Sequence, residues 1–149
     1  MSTVSQHVGD FLGLDSALRP QVLVEVSSVP GIDLDYAREH RELRASDPTL
    51  FPTFLMLATP HQTYVWEQPW DLSREVHVFD SAEVFDKTSG RDQSIQTADR
   101  YSLEFIVGAW LRQRAYDKGG ETLALLPEDF RQLGLAQKLC GGRVLVPPF

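Results

Sequence analysis

A single carboxylate interrupts an apolar stretch near the start of the sequence, PQVLVEVSS at residues 20–28. The aliphatic residues on both sides of Glu25 predict a buried strand, because short apolar runs between turn residues are typical of core strands. A carboxylate within a buried strand needs an explanation, because charged side chains are rarely buried without a partner. One structural interpretation is that Glu25 faces the solvent side of the sheet, or pairs with Arg19 or Arg41.

Other catalytic patterns are missing from the sequence. The glycine pairs in GGETL and CGGRV lack the flanking residues of a phosphate-binding loop, and no G-x-S-x-G motif occurs. Cys140 has no neighbouring pattern that would lower its pKa, so a structural role is expected. As the only cysteine it cannot form an internal disulfide, which favours a reducing cytoplasm. The histidines are scattered and lack metal-site spacing: His7, His40, His61 and His77.

The net charge and the placement of basic residues indicate which classes of partner the chain can bind. The formal net charge is −7, and a duplex-binding surface needs clustered Lys and Arg. The arginines at residues 38–44 alternate with glutamates, which is typical of a solvated helix face. We therefore expect no strong nucleic-acid binding by the isolated chain. No apolar run is long enough to span a membrane, and no secretory signal is visible, so we expect no membrane association.

The elements that would position Glu25 follow from periodicity and turn residues. Strands are predicted at residues 21–27, 53–58, 63–67 and 75–79. Helices are predicted at residues 5–14, 33–45, 80–85 and 97–116, and again after Pro127, with a loop at 87–96. A helical crossover joins the first two strands, so they should be parallel. The order predicts a single α/β domain over residues 1–149, with a mixed sheet in a core at 20–80 and a helical C-terminal region at 97–141.

Several stretches resemble the PD-(D/E)XK, or restriction-endonuclease-like, superfamily. They are LVEVSS, LDYAREHRELRASDPTLFPTFLMLATPHQTYVWEQ and FDSAEVFDKTSGRDQSIQTADRYSLEFIVGAWLRQRAY. The resemblance covers roughly residues 20–145 and extends to uncharacterised bacterial proteins of that superfamily, cyanobacterial ones in particular. It implies a restriction-endonuclease-like mixed sheet flanked by helices.

The resemblance also implies a site. In active members an Asp and a Glu hold Mg²⁺, and a Lys two residues after the Glu polarises the attacking water or the phosphate. Glu25 matches the Glu, whereas Ser27 stands where the Lys belongs. Asp15 is the candidate Asp, although no proline precedes it and the hairpin that normally carries this Asp looks too short. The three residues are therefore candidates for a vestigial site.

Two functions remain open from the sequence. The first is a catalytically degenerate nuclease-like domain that acts as a non-enzymatic interaction or scaffold module, binding a protein partner or forming a homodimer, without a cofactor. The alternative is a Mg²⁺-dependent nuclease whose missing groups come from elsewhere. A lysine close to Glu25 would favour the nuclease, and the chain offers Lys87, Lys118 and Lys138.

An interface is predicted on aromatic residues. Tyr64, Trp66 and Trp70 cluster without basic neighbours, which favours core or partner contact over base stacking. The helix at 97–116 carries an apolar stripe, including Trp110, that looks wider than a small sheet can cover. We expect a symmetric contact through this helix or through Trp66 and Trp70.

Overall fold

The fold was taken from a computed structural model, which describes residues 10–28, 35, 52–67, 76–87 and 94–147. The strands are β1 Phe11–Leu14, β2 Pro20–Val26, β3 Phe54–Ala58, β4 Gln62–Glu67, β5 His77–Asp80 and β6 Arg143–Leu145. The helices are α1 Ser81–Phe85, α2 Arg100–Tyr116, α3 Glu128–Gln132 and α4 Leu135–Leu139, with 3₁₀ turns at Ile95–Thr97 and Glu121–Leu125.

The described strands form one mixed sheet in the order β5-β4-β3-β2-β1-β6. β2 and β3 run parallel, with Val24 opposite Met56, and every other neighbouring pair is antiparallel. The predicted α/β class, the mixed sheet and the parallel pair are therefore confirmed. Of the predicted crossover helix at residues 33–45, Asp35 alone is described, and it is helical. The rest of that helix lies outside the described residues, as does most of the predicted loop at 87–96.

The helix predicted at residues 5–14 is wrong where the structure describes it. Phe11–Leu14 forms β1, which makes a hairpin with β2. Gly13 allows β1 to pack closely against its neighbours, because a Cβ there would lie 2.6 Å from Leu139 Cδ2 and 2.8 Å from Val22 Cγ1. A hairpin therefore does precede the strand that carries Glu25, although its first strand has only four residues.

The two faces of the sheet carry two separate apolar clusters. Along β2, Val22, Val24 and Val26 join the larger cluster, which also contains apolar residues of all four helices. Leu23 points to the opposite face and joins a smaller cluster with Leu12, Leu14, Leu55, Leu57, Tyr64 and Trp66. This alternation follows from the two-residue period of a strand.

Helix α2 packs on the larger cluster. Asp99 caps it, since its carboxylate accepts a hydrogen bond from the amide of Ser102 at 2.8 Å. The predicted apolar stripe is entirely buried, so the expectation that the sheet leaves part of it uncovered is wrong: Leu103, Ile106, Val107, Trp110 and Leu111. The apolar stripe of α2 is covered by the sheet and also by the short helices α1, α3 and α4. The number of strands alone does not predict the contribution of these helices.

The helical segment predicted after Pro127 is divided in two. Gly134, with φ of 80°, separates α3 from α4. The chain then returns to the sheet as β6 beside β1, so the C-terminal region is helical but also supplies a strand. Among the residues that the structure describes, no helix is both long and apolar enough to cross a membrane.

Candidate functional site

Glu25 lies on the smaller-cluster face of the sheet, because it alternates with Val24 and Val26. In the register it stands opposite Leu57, which in turn stands opposite Tyr64. The side chain is 4% exposed, so the interpretation of Glu25 as a solvent-facing residue is wrong. Arg19, one of its predicted partners, pairs with Asp15 instead, and Arg41 lies outside the described residues.

Asp15 organises the β1–β2 turn. Its Oδ1 accepts from the amides of Ala17 and Arg19, and its Oδ2 accepts from Arg19 Nε at 3.1 Å and Gln21 Nε2 at 2.9 Å. The hydrogen bond from the Arg19 amide contributes most to holding the pKa of Asp15 below its usual value. Gln21 precedes Glu25 by four residues on β2, a separation of roughly 13 Å. Asp15 is thus a turn residue at the opposite end of β2, and its assignment to one site with Glu25 is wrong.

Asp10 is the acidic residue that the hairpin brings beside Glu25. Its amide donates to the carbonyl of Val24 at 2.8 Å, and its Oδ2 accepts from the amide of Val26 at 2.8 Å. These contacts flank Glu25 on both sides along β2. Arg100 Nη2 lies 3.8 Å from Asp10 Oδ1, so a positively charged guanidinium is close to the Asp10 carboxylate. Sequence reasoning missed Asp10 because it assigned residues 5–14, Asp10 among them, to a helix.

Ser27 lies at the carboxyl end of the parallel pair. Its amide donates to the carbonyl of Ala58 at 3.0 Å, which continues the β2–β3 ladder by one bond. Carboxyl ends of parallel strands are where ligands bind in open α/β sheets. A hydroxyl there carries no charge, so Ser27 cannot replace the lysine of the resemblance.

A hydroxyl network fixes the β3–β4 turn beside this strand end. Ser81 Oγ donates to the carbonyl of Thr59 at 2.6 Å and lies 2.8 Å from Thr63 Oγ1. All three residues are buried. Their hydroxyl groups are occupied within the turn, so the network stabilises the strand end instead of presenting groups to a substrate.

The three lysines lie on or next to helices of the C-terminal half of the chain. Lys87 follows α1 and pairs with Glu83 at 2.6 Å, Lys118 follows α2, and Lys138 lies on α4. These helices pack against the larger cluster, which is on the other face from Glu25. The lysine that would favour a nuclease is thus not supplied by these positions.

A divalent metal would need further ligands beside Glu25. Within the described part of the chain, no three His, Cys, Asp or Glu side chains lie together in a way that could hold a metal ion. Asp10 also uses one carboxylate oxygen to bind the Val26 amide. Asp10 and Glu25 are therefore two carboxylates without a third described ligand.

Two of the three predicted interface residues are described, and neither is on the surface. Trp66 is 1% exposed and Trp110 is 2% exposed, so both indoles are core residues and their assignment to an interface is wrong. Trp70 lies outside the described residues. Trp66 stacks with Tyr64 in the smaller cluster, whereas Trp110 makes edge-to-face contacts with Phe85 and Phe130.

The exposed aromatic residues of α2 are different ones. Tyr101, Phe105 and Tyr116 are 85%, 66% and 82% exposed. Counted at 100° per residue, these three and the exposed Arg112 fall within about 60° of one another, opposite the buried face. We call Tyr101, Phe105, Arg112 and Tyr116 the outer stripe. The spacing of the outer stripe is visible in the sequence, but the prediction considered only the longer apolar stripe on the other face of the helix.

Comparisons with known proteins add no family: no protein-family model, no curated protein and no solved structure matches this chain.

Proposed function

We propose that this chain is a non-enzymatic interaction module, built on a degenerate restriction-endonuclease-like core, that forms a homodimer through the outer stripe of α2. The proposal depends on one observation: four exposed side chains share one face of α2, and three of them are aromatic. Large exposed aromatic residues in one patch are typical of interaction surfaces.

The outer stripe is self-complementary. Its residues are separated by four, seven and four positions, so the pattern is the same read from either end. If two copies of α2 pack antiparallel about a twofold axis between Gly108 and Ala109, Tyr101 lies against the partner's Tyr116. Phe105 then lies against the partner's Arg112, a cation–π arrangement. A closed twofold dimer needs such a self-matching patch.

The non-enzymatic part of the proposal depends on the strand-end residues. Glu25 is buried, Asp15 belongs to a distant turn, and Ser27 brings no positive charge. Phosphodiester cleavage requires stabilisation of developing negative charge as well as metal ligands. The net charge of −7 adds repulsion toward a polyanion. The proposal assigns no cofactor, and it places the protein in the cytoplasm because a lone cysteine offers no internal disulfide.

Light scattering coupled to size-exclusion chromatography tests the dimer. We expect the wild-type chain to have a dimer mass at micromolar concentrations. Phe105→Arg should give a monomer, because it places two arginines against each other across the interface. Gln113→Arg is the matched control, since it adds the same charge at an exposed position of α2 outside the outer stripe.

A charge-reversal rescue makes the register testable. In the double variant Phe105→Arg with Arg112→Glu, each arginine faces a glutamate of the partner, so the dimer should return. A wild-type chain that stays monomeric at high micromolar concentration would overturn the proposal. A double variant that stays monomeric while the wild type dimerises would overturn the antiparallel register.

A metal-dependent nuclease is the second candidate function. The observation in its favour is the position of Asp10, which flanks Glu25 and has Arg100 nearby. Asp10 and Glu25 would hold Mg²⁺ in this alternative, and Arg100 would replace the missing lysine as the positive group. Cleavage assays, described in the Discussion, separate the two candidates.

A further inference from the structure

Two buried residues on α2 carry hydrogen-bond donors without acceptors. Trp110 Nε1, Arg114 Nε and Arg114 Nη1 are fully buried, and within the described part of the protein none of them has a hydrogen-bond partner. Trp110 and Arg114 are 2% and 1% exposed. They lie one helical turn apart, and the Arg114 guanidinium carbon is 5.3 Å from the centre of the Trp110 ring. Three buried donors therefore share one small region.

The protein compensates the charge of Arg114 only in part. Desolvation is the largest influence and lowers the pKa of Arg114, while attraction to Asp117 opposes it. No ion pair joins the two side chains among those the structure describes. Asp117 instead accepts hydrogen bonds from the amides of Glu121 and Thr122 at 2.9 and 2.8 Å, and from the Thr122 hydroxyl. Its carboxylate is thus committed to the start of the second 3₁₀ turn.

A purely structural role explains this arrangement poorly. Contact with the Trp110 ring contributes to holding a cation, but it leaves the N–H groups without acceptors. A buried donor without a partner costs stability, and an apolar side chain of similar size is often better tolerated than a buried charge. Because all three atoms are donors and two of them belong to the cationic guanidinium, the missing partner is rich in acceptors and negatively charged. An uncharged water would satisfy donors without offsetting the charge.

We propose that Arg114, together with Trp110, binds a small oxyanion of the phosphate class near the C-terminal end of α2. Cys140 lies near Arg114, where burial raises the pKa of its thiol, and the Gly141 amide donates to the carbonyl of Ala115 at 2.9 Å. Cys140, Gly141 and Asp117 are partly exposed, so solvent reaches the protein surface close to this end of α2. The anion reaches Arg114 from this side. Arg114 is the sole group in the proposal that supplies positive charge.

Thermal unfolding of the full chain in phosphate and in chloride at equal ionic strength tests the site. For the wild type we expect saturating phosphate to raise the midpoint by roughly 5 °C or more relative to chloride. Arg114→Met should remove the difference between the two salts. Arg131→Met, which removes an exposed arginine from α3, outside both this site and the outer stripe, should keep it. Parallel runs with phenyl phosphate and with acetate show whether a phosphate ester or a carboxylate is accepted in place of free phosphate.

Tryptophan fluorescence provides a second measurement, which uses the wild type and does not depend on Arg114→Met being folded. Phosphate titration should change the emission of the wild type and leave that of Trp110→Phe unchanged, because Trp110 is the indole beside Arg114. The proposal is wrong if neither the midpoint nor the emission of the wild type responds to phosphate beyond its response to chloride. It is also wrong if folded Arg114→Met keeps the full phosphate effect.

Discussion

Asp10 lies beside Glu25, held there by hydrogen bonds to the residues on either side of it. The Asp10 amide bonds the Val24 carbonyl, and the Asp10 carboxylate bonds the Val26 amide, each at 2.8 Å. The hairpin therefore brings two acidic residues to one end of β2, while Asp15 closes the turn at the other end. Among the described residues, Asp10 and Glu25 are the carboxylates that would hold a metal at this end of β2.

We expect no cleavage of plasmid or linear DNA, single- or double-stranded, with Mg²⁺ or Mn²⁺. The two carboxylates lack a described third ligand and a nearby lysine, so little would stabilise the developing charge. Agarose-gel assays of the wild type, Asp10→Asn and Glu25→Gln measure this. Metal-dependent nicking by the wild type that disappears in both variants would establish the nuclease and refute the non-enzymatic proposal.

Asp15→Asn should make the protein less stable at neutral pH and less sensitive to acid. The folded-state pKa of Asp15 is lowered, chiefly by the Arg19 amide, so the ionised form stabilises the fold above the unfolded-state pKa, about 3.9. That contribution is lost as the pH falls through the lower folded-state value. Urea unfolding at a series of pH values should show the wild type and Asp15→Asn converging in acid.

Glu128→Gln is the control for that experiment, since it removes an exposed carboxylate at the start of α3. Its urea midpoint should stay close to that of the wild type at neutral pH. A constant difference between wild type and Asp15→Asn over the whole acid range would contradict the assignment of the effect to ionised Asp15.

Gly142→Ala should destabilise the fold by roughly 1–3 kcal/mol. A Cβ at Gly142 would overlap the backbone carbonyl oxygen of Leu14, which cannot move without disturbing β1. Gly119→Ala is the control, because its nearest neighbour would be a Glu121 side-chain atom at 3.8 Å, an ordinary contact. Denaturant titration measures both variants, and equal midpoints for the two would show that the Gly142 contact is relieved.

Ser81→Ala should cost roughly 1–3 kcal/mol, because the buried carbonyl of Thr59 and the hydroxyl of Thr63 would lose a partner. Ser16→Ala, at an exposed position in the β1–β2 turn, should change stability far less. Thermal unfolding of the two variants gives the comparison. If Ser81→Ala unfolded at the wild-type midpoint, the network would have no net stabilising role.

Local sequence signals predicted the parts of the fold whose contacts are close in sequence. The apolar run around Val24 predicted β2. The helix predicted from residue 80 corresponds to α1, where the Asp80 carboxylate accepts a hydrogen bond from the Ala82 amide at 3.0 Å. β1 was missed because its four residues are too few to show a two-residue period, and its pairing with β2 and β6 is a tertiary effect. The site depended on β1, so Asp10 was missed with it.

The same limit applies to buried charge. A sequence shows that Arg114 follows Trp110 by one helical turn, but the loss of solvent around its guanidinium depends on packing against distant segments such as the one that carries Cys140. The outer stripe was in principle predictable, because exposed and buried faces of α2 alternate with the ordinary helical period.

The pairing of β1 with β6 has a consequence for protein synthesis. Leu12 stands opposite Leu145, so the first and last described strands are neighbours although almost the whole chain separates them. Until residue 145 has left the ribosome, the outer edge of β1 keeps free backbone N–H and C=O groups, which can pair with strands of other nascent chains. The sheet therefore cannot be completed before β6 has been synthesised, and a stalled chain that lacks β6 would be a target for chaperones.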